Sequence, residues 1–196
     1  VDGLWLSARI IETEAYYIDE KASHSSLGHS PSRRAMFMPA GHLYLYYSRG
    51  GDSLNFSVQG DGNAVCIKAG YPWVDSLSCE ESIERMRANS PAAAGGPRPL
   101  TRLCSGQTLL CKALGLKVTE WNAQRMDPTK LRLDDIGARP NTTQPPRPGF
   151  PAGRDEHLPY RFVDAGFAAH CTRNPMRRGQ QEGQDYVLLR RELLAS

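Results

Sequence analysis

The sequence predicts an α+β fold: a single domain with a largely antiparallel, curved β-sheet flanked by short helices and long loops. Three observations predict it. β-Branched and aromatic residues alternate with others at Ile10–Tyr16, His42–Tyr47, Leu54–Val58 and Ala64–Ala69, the period of two expected of half-buried strands. The turns Gly50-Gly51 and Gln59-Gly60-Asp61-Gly62 are short, as antiparallel neighbours allow. Helical spacing is confined to two short segments, 79–89 and 105–115. With 196 residues, 40% of them hydrophobic, the chain can bury the core of one domain spanning 1–196.

Taken in order, Val1–Tyr17 reads as a β-hairpin arm turning at Asp2-Gly3 or earlier. Gly3-Leu4-Trp5-Leu6 is already strand-like, so a preceding N-terminal segment is expected to be missing. Within the arm, strict alternation puts Ile10, Glu12, Glu14 and Tyr16 on one face and Ile11, Thr13 and Ala15 on the other. Two carboxylates and a ring that face the same way either line a cleft, meet cations or sit on a solvated edge.

Asp19–Pro39 is a polar loop carrying His24, His29, Arg33 and Arg34. Tyr44 and Tyr46 share one face of the next strand, and for Tyr44 a half-buried sheet position suffices. Leu54–Val58 and Ala64–Ala69 follow as antiparallel partners. Ile83, Met86 and Arg87 mark a helix over 79–89, broken by Pro91–Pro99. Ser105 is placed to cap a second helix, with Leu109, Leu110, Ala113 and Leu114 as its apolar stripe and Gly115 as its stop. The Pro-, Gly- and Arg-rich stretch 134–155 reads as a long surface loop, and 160–163 and 186–189 as late strands that close the sheet.

Composition narrows the function. No apolar run approaches the ~20 residues of a membrane span, and 1–8 lacks the pattern of a secretory signal. The five cysteines are scattered without metal or redox spacing. Reduced thiols and an intracellular location beside the genomic DNA are expected. The formal net charge is only +3, but the cations are mostly arginine, whose fork grips phosphate. Arg33-Arg34 and Arg173 with Arg177-Arg178 suit a polyanion or simply a soluble surface.

Read together, five ordered motifs carry a resemblance. They are Arg9-Ile10-Ile11-Glu12-Thr13-Glu14-Ala15-Tyr16, then Met36-Phe37-Met38 through Gly41 to Tyr44 and Tyr46, Asn55, Gln59–Gly62, and Leu103-Cys104-Ser105-Gly106. The chain resembles the alkyladenine (3-methyladenine) DNA glycosylase family, the type without a helix-hairpin-helix, from Arg9 to about Gly115 and weakly again near Tyr160–Phe162.

The resemblance implies a monomer, free of metal or cofactor, that acts on double-stranded DNA containing alkylated or deaminated purines. It would flip the damaged base out of the stack and hydrolyse its N-glycosidic bond. Glu14 is then the general base, and Glu12 a structural or electrostatic neighbour. Tyr16, His24 and Tyr46 are the aromatic walls of the base pocket. Asn55 is a gatekeeper that excludes the amino group of normal guanine. Lys68 stands where the family often has an arginine near the attacking water. The wedge that fills the gap in the duplex is Tyr47 or Arg49, because the segment after Tyr46 is one residue short. Gly60, Asp61 and Gly62 serve turn geometry.

Two other readings compete. One is a nucleic-acid-binding module of similar fold without catalysis. The other joins Glu12, Glu14 and Asp61 in the magnesium site of a nuclease.

Overall fold

A computed structural model describes every residue except Asp2, Arg49, Ala94 and 192–196. Seven strands form one antiparallel sheet in the order β2-β3-β4-β1-β6-β5-β7. They are β1 (Ser7–Tyr16), β2 (Leu43–Ser48), β3 (Gly51–Ser57), β4 (Ala64–Trp73), β5 (Thr142–Gln144), β6 (Arg161–Asp164) and β7 (Val187–Leu189). The helices are α1 (Glu80–Asn89), α2 (Leu100–Leu103), α3 (Gln107–Leu114) and α4 (Val118–Trp121). With 3-10 turns at His24–Leu27, Arg34–Phe37 and Ala165–His170, they make a single α+β domain.

One face of the sheet forms the main core. Leu43, Leu45, Leu54 and Ile67 pack there against Ile83 and Met86 of α1 and Leu110, Cys111 and Ala113 of α3. These helices form because their apolar residues recur three or four apart and so share one side. Because alternate side chains of a strand point oppositely, the residues between them, Tyr44, Asn55 and Cys66, are delivered to the other face.

Several expectations are corrected. Gly3–Leu6 are not strand: Leu4 N–H donates to Val1 O, and β1 begins only at Ser7, as a central strand between β4 and β6. Strict alternation along β1 also fails. Ile10 pairs with Gly70 and Glu12 with Ala69, then Thr13 pairs with Ile67. Ile11 is thus extra on β1 and Lys68 extra on β4, two bulges that cancel. Ile10 therefore leaves the face of Glu12 and joins Leu54 and Ile67 around the apolar groove near the N-terminus.

The residue before α3 is Gly106, not Ser105, because that position takes φ 108°, which favours glycine. The 134–155 stretch is interrupted by β5, whose Thr143 is buried. The last strand, β7, lies at the sheet's edge and leaves it open.

Candidate active site

A single cross-strand row crosses five strands. Tyr44 pairs with Asn55, Asn55 with Cys66, Cys66 with Glu14, and Glu14 with Arg161. Directly opposed side chains sit within about 5 Å of one another on one face, so the row gathers residues over a hundred positions apart. At its centre Glu14 is 0% exposed.

Glu14 Oε2 accepts hydrogen bonds from the Tyr16 hydroxyl at 2.7 Å and from Lys68 Nζ at 3.1 Å. Glu14 Oε1 is buried and has no hydrogen-bond partner among the described residues. A buried carboxylate oxygen without a donor is costly. Burial, then the charge of Glu14, holds the Tyr16 hydroxyl well above its ordinary range, fixing it as a donor. Burial is the largest single effect on Lys68 and works against its charge, but Glu14, Cys66 and Glu12 together outweigh it, so the ammonium is favoured.

Beside this carboxylate lies a cavity of about 160 Å³, walled by Tyr16, His24, Met36, Tyr44, Tyr46, Asn55, Lys68, Gln107 and Phe150 among others. That is below the roughly 300–1,000 Å³ of drug-sized sites and in the range of cavities that take a small aromatic molecule. Glu14 lies behind Tyr16 and Lys68, which both touch it and line the cavity.

The His24 ring stands 4.7 Å from Tyr46, edge-on at 70°, and Tyr46 stands 5.6 Å from Tyr44. His24 Nδ1 and the Tyr44 hydroxyl share a hydrogen bond of 2.8 Å. Partial loss of solvation, then the charges of Arg33 and Arg154, lowers the pKa of His24, so the neutral ring is favoured. Burial raises Tyr46, with Cys66 adding to the effect. Asn55 Nδ2 donates to the Tyr44 carbonyl at 3.0 Å, which locks the amide against the cavity wall.

The structure thus brings Glu14, Lys68, Tyr16, His24, Tyr46 and Asn55 together. Tyr44, which needed no role beyond a sheet position, lines the same cavity. Glu12 is withdrawn: its Oε1 accepts from Arg161 Nε at 2.7 Å and its Oε2 from the Thr172 N–H at 3.2 Å. Among the described residues no three His, Cys, Asp or Glu converge as the magnesium reading requires.

Tyr47 is 65% exposed and leaves β2 on the face opposite Tyr46. Arg49, the other wedge candidate, lies outside the described residues. Arg34 is exposed. Arg33 is occupied, donating to the carbonyls of Gly28 and Leu27 and so bracing the turn that carries His24. Sequence reasoning missed Met36, Gln107, Arg147 and Phe150. The one signal for the last two was an arginine and an aromatic ring set among prolines in 144–150.

The profile described as Methylpurine-DNA glycosylase (MPG) matches residues 1–168. The chain belongs to the methylpurine-DNA glycosylase family. It is 63% identical over 188 residues to a protein of Pseudomonas aeruginosa strain PAO1 named "Putative 3-methyladenine DNA glycosylase", covering 95% of this chain and 79% of that protein. A protein of the same name from Pseudomonas savastanoi pv. phaseolicola is 62% identical over 190 residues, covering 96% and 85%. One from Agrobacterium fabrum is 39% identical over 107 residues, covering 55% and 49%. As a member of the family, the protein is a DNA glycosylase, a DNA repair enzyme whose partner is DNA. No helix of its described residues is long and apolar enough to cross a membrane.

Proposed function

We propose that the protein, acting as a monomer built on one domain, flips alkylated purines out of duplex DNA and hydrolyses their N-glycosidic bond with a water activated by Glu14. One observation carries this reading: a buried carboxylate with one oxygen held by two donors and the other left open. Oε2 is committed to Tyr16 and Lys68, so Oε1 is the atom that takes the proton of the attacking water. The same charge steadies the sugar as it gains oxocarbenium character.

The cavity accounts for the substrate class. Rings of Tyr16, His24 and Tyr46 stack on a purine without demanding one pattern of hydrogen bonds and favour a cationic one. A 3- or 7-methylated purine already carries that charge, so it leaves as a neutral base once the bond to the sugar breaks. Hypoxanthine is neutral and needs a proton first, so its release is slower. Asn55, pinned by the Tyr44 carbonyl, meets the amino group of guanine and opposes its entry; 7-methylguanine carries the same group and is admitted because its charge adds stacking that neutral guanine lacks.

Free base released from methylated duplex DNA tests the reading. Glu14→Gln keeps shape and binding, so it holds damaged DNA while release falls by about 10²–10⁴-fold, the usual weight of a general base. Release at near the wild-type rate would remove Glu14 from the chemistry.

A further inference from the structure

Arg147 is buried completely, yet it does not line the cavity. Its guanidinium carbon lies 4.6 Å from the centre of the Tyr16 ring, 5.4 Å from Phe150 and 5.5 Å from Tyr160. One Nη donates to the Ala15 carbonyl at 2.7 Å, and the other pairs with the buried carboxylate of Glu20. Glu20 in turn accepts from the Tyr17 N–H at 2.6 Å. The guanidinium is thus fastened to the end of β1 and the turn after it, and covers one face of Tyr16.

Two consequences reach the cavity. Tyr16 has one face held by a planar cation and its hydroxyl held by Glu14, which leaves little freedom to its ring. Pro148 and Phe150, which wall the cavity, follow Arg147 immediately. Among the described residues, Arg147 makes the only hydrogen bonds that tie 145–150 to the rest of the chain.

We propose that Arg147, with Glu20, is a positioning residue for the base pocket: it fixes the stacking face of Tyr16 and seats the 148–150 wall against the extruded purine. This rests on the flipping reading above. Burial of a charged pair is costly and adds little net stability over an apolar pair of the same shape, so a fork that reaches a carbonyl, a carboxylate and a ring at once suits orientation better than bulk packing. Lysine can keep the pair with Glu20 but not the planar, two-pronged contact.

The test is single-turnover release of 7-methylguanine from a duplex, measured against protein concentration for wild type, Arg147→Lys, Tyr16→Ala and the double variant. The maximal rate contains the flipping equilibrium, and half-saturation reports overall DNA binding. Arg147→Lys is expected to lower the maximal rate about tenfold, roughly what weakened stacking of one base costs, with half-saturation within a factor of about two. In the Tyr16→Ala background the same change costs less than about twofold, because neighbours that act together are non-additive.

An unchanged maximal rate, or an equal loss with and without Tyr16, overturns the proposal. If Arg147→Lys does not fold, Glu20→Gln is read in the same cycle with the same criteria. Failure of wild type to release the base defeats the glycosidic reading itself. Release by wild type with no effect of Arg147→Lys defeats only this inference.

Discussion

At Glu14 two neighbours share one oxygen, and their roles can be separated. Tyr16 donates without charge, while Lys68 brings the cation that a buried carboxylate needs. The folded-state pKa of Lys68 is raised. Its contribution to stability is therefore complete below the ordinary lysine value of about 10.4 and is lost only as pH rises through the folded value. Lys68 consequently adds no break to the rate profile in the acid or neutral range. Lys68→Met should lower base release by about 10–100-fold, the weight of one charge-assisted hydrogen bond, whereas Lys68→Arg should stay within a few-fold of wild type. A profile from pH 5 to 9 that changes shape in Lys68→Arg would contradict this account. His24 differs in sign. Its pKa is lowered in the fold, so the unfolded chain binds more protons as pH falls through about 6.5 and stability declines there. His24→Gln should lose less melting temperature than wild type between pH 7 and 5.

At the scale of elements, β1 holds Glu14 in place because it is gripped on both sides. β4 carries Lys68 out of register toward Glu14, and β6 supplies Arg161 to Glu12. Arg161 also donates to the carbonyl of Arg173 at 2.6 Å, so the Glu12–Arg161 pair fastens the segment after β6 to the central strand. Arg161→Met would leave the Glu12 carboxylate buried without a cation and should destabilise the fold by about 3–5 kcal/mol, read as a lower urea midpoint with an unchanged slope; a loss below about 1 kcal/mol would show the pair to be dispensable. The same strands show what a sequence discloses. Alternation in Leu43–Tyr47 and Leu54–Ser57 gives the core and site faces directly, since each strand buries one side against α1 and α3. The bulges at Ile11 and Lys68 are invisible, because neither residue type marks an extra position and the pairing is decided by a partner more than fifty residues away. Arg147 is hidden for a related reason: its contacts reach back 127 and 132 positions, while its own neighbourhood reads as proline-rich loop.

Across the whole molecule, the arginines divide into those spent on structure and those left for a polyanion. Arg9, Arg147 and Arg161 are paired with Asp164, Glu20 and Glu12, and Arg33 braces the His24 turn. Arg34, Arg173, Arg177 and Arg178 are exposed. The segment bearing the last three is held at Thr172 by Glu12. A Cβ added at Gly106, next to Gln107 in the cavity wall, would lie 3.5 Å from Thr172 Oγ1, so this basic stretch starts close to the site. A net charge of only +3 gives little general attraction, so DNA affinity is expected to come from such local clusters. Removing one cation that neutralises a phosphate should reduce the slope of log affinity against log salt by about 0.9. Arg177→Ala with Arg178→Ala is therefore expected to flatten that slope by about two while leaving the maximal single-turnover rate on saturating methylated duplex within a factor of about two. Arg33→Ala should do the reverse, with little change in slope and a slower maximal rate, because its loss frees the turn under His24. Equal slopes for wild type and the Arg177/Arg178 double variant would move the DNA track away from this segment.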